Sequence, residues 1–201
     1  MRHTFQGGIG AAALAAALLL TGCGSEPAAA PPTSTSTSVS ASVPPASAAP
    51  DGRPKPTHVR IPKIKAESTL VEAGLNKARN IEVPPVDQPM QAAWYKFSQV
   101  PGDPGPAIVL GHVDGNKQPG IFNRLNELTV GDEILIDRKD GKTLRFLTTR
   151  KEQVPKDQFP QDAVYGDSTE PELRLITCGG AFDKAAHSYQ DNIIIYANLA
   201  A

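Results

Sequence analysis

The sequence predicts an all-β domain, a closed barrel or a sandwich, carried behind a long non-globular N-terminal segment. Three observations lead there. Eight strand-like runs occupy residues 58–64, 68–75, 81–84, 107–113, 133–137, 143–154, 173–178 and 192–199. Breakers separate them, notably Pro84-Pro85, the run Pro101-Gly102-Asp103-Pro104-Gly105-Pro106, and Asp140-Gly141. Helical patterns are confined to short stretches at 123–128 and 156–165. Many short strands joined by turn-rich connections close on themselves or stack as two sheets, because a lone open sheet leaves an apolar face and two edges exposed.

The chain of 201 residues opens Met1-Arg2-His3, turns apolar over residues 9–20 and ends that run Leu20-Thr21-Gly22-Cys23. A short charged start followed by an apolar stretch and small residues describes an export signal covering residues 1–22. The stretch falls short of the roughly 20 residues that span a bilayer. Leu20-Thr21-Gly22-Cys23 resembles the lipobox of bacterial lipoproteins. That resemblance implies cleavage before Cys23, lipidation of Cys23, and residence at the extracytoplasmic face of the bacterial cell membrane. An ordinary cleaved signal and an uncleaved short anchor are the competing readings.

Residues 23–57 follow as a tether. Between positions 26 and 50, 22 of 25 residues are Pro, Ala, Ser or Thr, a composition that cannot bury enough apolar surface to offset chain entropy. Such a disordered chain has a reach of roughly 30–35 Å, enough to hold a domain just off a membrane. A processed pro-segment is the alternative.

Residues 58–201 make one domain, with 17 Lys/Arg against 19 Asp/Glu. This balance, and a formal net charge of -1 for the whole chain, argue against nucleic acid as a partner. Aromatic residues are only 5% of the chain, too sparse for a single-strand stacking platform. Cys23 and Cys178 sit in such different surroundings that a disulfide is not expected. Four histidines without close Cys/His spacing speak against a structural zinc site, and no metal or cofactor is expected. Within the domain, Lys139-Asp140-Gly141-Lys142 between alternating apolar runs marks a hairpin.

Two segments carry chemistry. In Ile108-Val109-Leu110-Gly111-His112-Val113-Asp114-Gly115 an apolar strand delivers His112 at its exit. In Leu173-Arg174-Leu175-Ile176-Thr177-Cys178-Gly179-Gly180 a second strand ends at Cys178 before paired glycines. A thiolate beside an imidazole is an arrangement for acyl transfer, since His exchanges protons near neutrality and favours the thiolate. Pattern alone leaves open a buried structural Cys and a surface His. An exported protein keeping one unpaired thiol shifts the balance towards use of that thiol.

The motifs then become specific. Leu110-Gly111-His112-Val113-Asp114, followed by Leu175-Ile176-Thr177-Cys178-Gly179-Gly180-Ala181-Phe182-Asp183, Tyr189-Gln190-Asp191-Asn192 and an aliphatic strand, resembles a sortase. The Gly-Gly-x-Phe-Asp extension, Phe159-Pro160 with Val164-Tyr165-Gly166, and Phe122-x-Arg124-Leu125-x-x-Leu128-x-x-Gly131-Asp132 are similar to the actinobacterial class F group. The resemblance runs from about His58 to Ala197. It implies an eight-stranded β-barrel with short helices in loops, and a cysteine transpeptidase needing no cofactor. It further implies Cys178 as nucleophile and His112 as general acid/base. The partners implied are sorting signals of the Leu-Pro-x-Thr-Gly type on surface proteins, and an amine acceptor that resolves a thioester.

Sortases generally carry an arginine on the final strand, and this sequence has none there: Tyr189-Gln190-Asp191-Asn192-Ile193-Ile194-Ile195-Tyr196. Strand alternation puts Gln190 and Asn192 on one face, each a neutral amide donor for an oxyanion. Arg124 and Arg174 are the remaining cationic candidates, with a loop salt bridge and a solvated strand position as their plainer readings. Asp114 reads as a turn residue, Trp94 and Tyr95 as packing, and His187 as a second choice of base. Two other functions remain open: a sortase-like lipoprotein that binds surface peptides without useful turnover, and an L,D-transpeptidase, whose Ser-His-Gly-Cys signature is absent here.

Overall fold

The computed structural model describes residues 52–201, so the export signal, Cys23 and nearly all of the tether lie outside the described residues. The strands are β1 (Pro56–Ile61), β2 (Ala66–Ala73), β3 (Ala92–Tyr95), β4 (Gly105–Gly111), β5 (Asp114–Gly115), β6 (Gln118–Pro119), β7 (Glu133–Arg138), β8 (Thr143–Pro155), β9 (Pro171–Asp183) and β10 (Ser188–Leu199). Between β8 and β9 lie a single 3-10 turn (Lys156–Gln158) and a short α-helix, α1 (Gln161–Tyr165). Eight strands close a barrel in the order β1-β2-β3-β4-β9-β10-β8-β7, while β5 and β6 pair apart as a small ribbon. The barrel pairings are antiparallel except β2 with β3 and β4 with β9.

The apolar pattern decides what is inside. Leu173 and Leu175 of β9, Ile193 and Ile195 of β10, Ile134 and Ile136 of β7, Val109 and Phe146 all fill the barrel. Phe122, Leu125 and Leu128 from the connection after β6 join the same core. The alternate residues Ile108, Ile176, Ile194 and Tyr196 form a second buried cluster, packed against Val164, Phe159 and Tyr165 around α1. β4, β9 and β10 are therefore buried on both faces. That double burial is why they read as continuous apolar runs rather than alternating ones.

The expected eight-stranded closed barrel is present, but one strand is not where the sequence placed it. Residues 81–84 contribute only an isolated bridge between Ile81 and Leu75. Pro84 and Pro85 lack the N–H donors that a ladder needs. The third barrel strand is instead β3, whose four residues Ala92, Ala93, Trp94 and Tyr95 are all buried. The Trp94 indole donates to the Gln99 carbonyl at 3.1 Å, so Trp94 and Tyr95 are packing residues as expected. β1 takes in Pro56 and Thr57, which composition alone assigns to the tether. The hairpin at Asp140-Gly141 joins β7 to β8 with Arg138 N–H donating to the Lys142 carbonyl at 2.9 Å. β9 and β10 run well past their expected ends, to Asp183 and from Ser188, and this extension shapes the site.

Candidate active site

β4 ends at Gly111, so His112 is the first residue beyond it. Its backbone is clamped by the returning chain: Phe122 N–H donates to the His112 carbonyl at 3.0 Å, and Gly120 N–H to the Val113 carbonyl at 2.9 Å. A Cβ on residue 120 would lie 2.2 Å from the His112 carbonyl oxygen, so only glycine permits this approach. The ring is held separately, with Nε2 at 2.6 Å from the Pro84 carbonyl oxygen. A carbonyl only accepts, so Nε2 carries the proton, and Nδ1 is the nitrogen of the neutral ring left to exchange one. The segment bearing Pro84 is anchored in turn, through Ile121 N–H donating to the Pro89 carbonyl at 2.9 Å.

Strand pairing brings Cys178 alongside. β4 and β9 are parallel, with Leu110 opposite Ile176. Two residues farther on, His112 and Cys178 therefore stand level on neighbouring chains, whose backbones are roughly 5 Å apart in a sheet. Both are half-buried, Cys178 is a free thiol, and both line one cleft of about 580 Å³. The rest of the cleft wall includes Val86, Asp114, Lys117, Phe182, His187 and Tyr189.

A bulge sets the far wall. Asn192 pairs with Cys178 and Asp191 with Gly179, but Tyr189 pairs with Phe182, so Gly180 and Ala181 together face the single residue Gln190. Gly180 has φ +75, the left-handed value of the first residue of such a bulge. The extra residue re-aims the strand ends, so that Phe182 and Tyr189 line the cleft with Cys178. Their rings meet edge to face at 5.1 Å. The Tyr189 hydroxyl donates to the Asp114 carboxylate, linking the β9–β10 extension to the loop after His112. That bond, followed by desolvation and the nearby Asp114 charge, pushes the Tyr189 phenol up to about 12.

The other candidate residues separate. Asn192 stands beside Cys178 across the β9–β10 pair. Gln190 does not share its setting: the bulge interrupts the alternation that would put both on one face, and Gln190 is exposed and does not line the cleft. Arg124 does not line the cleft either. Its guanidinium makes a two-pronged pair with Glu127 at 2.7 and 2.6 Å, the loop salt bridge that is its plainer reading. Arg174 is not a solvated strand residue: it is buried, paired with Glu172, and stacked at 4.6 Å over the Tyr196 ring. Asp114 is more than a turn residue through its bond to Tyr189, and His187 does reach the cleft. Sequence reasoning missed Phe182, Tyr189 and the Pro84 carbonyl. The paired glycines after Cys178 were the available signal for the first two, because a bulge there changes which side chains face the thiol. Among the described residues, no group of three or more His, Cys, Asp or Glu side chains is placed to hold a metal ion.

A half-buried free thiol and an oriented imidazole in one open cleft, with Asn192 paired to the thiol's residue across β9–β10 but outside the cleft lining, have the chemistry that a cysteine acyl-transfer centre uses. No curated protein matches the sequence. Among solved structures, sortase C-1 from Actinomyces oris is similar with TM-score 0.58 and 16% identity over 72% of this chain and 73% of that one. Sortase A from Corynebacterium diphtheriae gives TM-score 0.55 and 20% identity over 74% and 62% respectively. Streptococcus agalactiae sortase C1 gives TM-score 0.55 and 17% identity over 72% and 66%, so this chain spans about two thirds of that relative's length. At these identities the likeness establishes the barrel alone. The sequence itself goes further: residues 59–200 match the sortase domain model. With that match covering all of the barrel but the first three residues of β1, and including His112 and Cys178, the chain belongs to the sortase family.

Proposed function

We propose that this sortase is a cysteine transpeptidase of the class F group, acting on sorting signals of the Leu-Pro-x-Thr-Gly type. The observation that carries the reading is that His112, just past the end of β4, and Cys178, on the neighbouring parallel strand β9, line one cleft. The Cys178 thiolate attacks the carbonyl carbon of the Thr–Gly bond, and the tetrahedral oxyanion is met by a neutral donor, a role for which the pairing of Asn192 with Cys178 is the support. The intermediate collapses as protonated His112 gives its Nδ1 proton to the leaving amine, leaving a Cys178 thioester. An amine acceptor then attacks the thioester and releases the thiolate. The lipobox-like Leu20-Thr21-Gly22-Cys23 supports a lipid anchor on Cys23 at the extracytoplasmic face, with residues 23–57 as tether. Among the described residues no arginine lines the cleft, and this favours as a second reading a lipoprotein that binds surface peptides with little turnover.

The test uses the chain from Gly24 with a labelled Leu-Pro-x-Thr-Gly peptide library and an amine, read by intact mass. The expected result is an acyl adduct on Cys178 that moves to the amine. It is absent in Cys178→Ala and reduced about 10²–10⁴-fold in rate in His112→Ala. A folded protein that acquires no adduct from any library member would move the assignment to the binding module.

A further inference from the structure

The cleft wall formed by Asp114, Tyr189 and Phe182 is not used in the thioester-forming step proposed above, yet it shares the cleft with His112 and Cys178. Among the described residues, Asp114 is the only carboxylate lining the cleft. Its Oδ2 accepts from the Tyr189 hydroxyl, and Oδ1 accepts no hydrogen bond from the described residues. The phenol is pushed up to about 12, so it remains a donor and keeps the carboxylate oriented throughout the neutral range. Phe182 stands edge to face with Tyr189, and although it is a large apolar side chain it is 49% exposed. A carboxylate flanked by open aromatic rings is a surface for a small cation, attracted by the charge and by the electron-rich ring faces. Lys117 brings one positive charge to the same cleft. Asp114 is the group there that can match an incoming positive charge.

We propose that Asp114, Tyr189 and Phe182 form the acceptor subsite, and that it takes a primary ammonium group. The proposal rests on the transpeptidase reading. The bound ammonium first gives one proton to solvent. The resulting amine attacks the thioester carbon, the C–N bond forms and the C–S bond breaks, and the electron pair leaves on the Cys178 sulfur. The second nitrogen-bound proton passes to Nδ1 of neutral His112. The products are an amide, a thiolate and an imidazolium, with one proton released. Asp114 is a positioning residue here, acting through the ammonium before that group reacts.

Two measurements test this on the full chain. In the first, the acylated protein is divided between glycinamide, an ammonium at neutral pH, and hydroxylamine, which is uncharged there. Asp114→Asn should lower transfer to glycinamide about fivefold relative to hydroxylamine, the range of a partly exposed ion pair. Tyr189→Phe should lower it in the same sense and by less. An equal loss for both nucleophiles overturns the proposal. In the second, Cys178→Ala protein is titrated with glycinamide and with uncharged acetamide while the ring resonances of Phe182 and Tyr189 are followed by NMR. The expected result is movement with glycinamide only, abolished in Asp114→Asn. No movement overturns the subsite whether or not the protein acylates, whereas movement without any wild-type adduct sinks the transpeptidase reading and leaves the ammonium site standing.

Discussion

At the scale of single residues, the question is what replaces the arginine missing from the final strand. Two amides were indistinguishable by alternation, and the Gly180 bulge separates them: Asn192 pairs with Cys178, while Gln190 is exposed on the far side of the irregularity. Removing one oxyanion donor commonly slows acyl transfer about 10²–10³-fold. Asn192→Ala is therefore expected to slow adduct formation about 100-fold, with alkylation of Cys178 by a small thiol reagent unchanged, and Gln190→Ala to have less than about a twofold effect. Equal effects of the two substitutions would remove Asn192 from this role. His112 and Cys178 were legible because each ends an apolar run. The Pro84 carbonyl was not, since an acceptor on the main chain leaves no residue signature, and neither were the cleft-facing rings of Phe182 and Tyr189, which depend on a register shift.

At the scale of elements, the seam between β1 and β7 closes the barrel and carries a defined pair. Arg60 donates to Asp137 through Nε at 3.1 Å and Nη2 at 2.6 Å, and Thr143 adds a bond at 2.6 Å. The Arg60 bond first, and then Thr143, hold the Asp137 carboxyl below its ordinary value. A depressed folded pKa means the stabilisation is fully present above the unfolded value near pH 4 and is lost as pH falls through the lower folded value. Asp137→Asn should thus lower the urea midpoint at pH 7, and the difference from wild type should shrink below about pH 4. A difference that persists unchanged in acid would show that the pair is not its source. Strands β4, β7, β8, β9 and β10 were legible from apolar runs and turn residues. β3 was not, because Ala92-Ala93-Trp94-Tyr95 has neither the alternation nor the β-branched residues of a strand and is held by its neighbours on both sides.

At the scale of the whole molecule, all four tyrosines feel the fold. Tyr165, Tyr189 and Tyr196 are pushed up to about 12, the first mainly by desolvation, the second by Asp114, the third by desolvation and then Glu152. Tyr95 is raised as well, by its burial. Raised folded values mean that this contribution to stability is complete below about pH 10 and disappears as pH climbs towards 12. A folded sample at pH 10 should show little tyrosinate absorbance, and urea at the same pH should bring it up; strong tyrosinate absorbance before unfolding would contradict the packing around these rings. By composition and pattern alone, the chain declares an all-β domain with a thiol and an imidazole each at the end of an apolar run, while the export segment and the tether are expectations that lie almost wholly outside the described residues. Those properties are local: periodicity, turn chemistry and lack of apolar surface act over a few residues. Tertiary structure alone decided that strands far apart in sequence run parallel, that His112 and Cys178 end level, and that one extra residue at Gly180 turns Tyr189 towards Asp114. These outcomes depend on register between distant segments, which is set by the packing of two buried faces at once rather than by any stretch of sequence on its own.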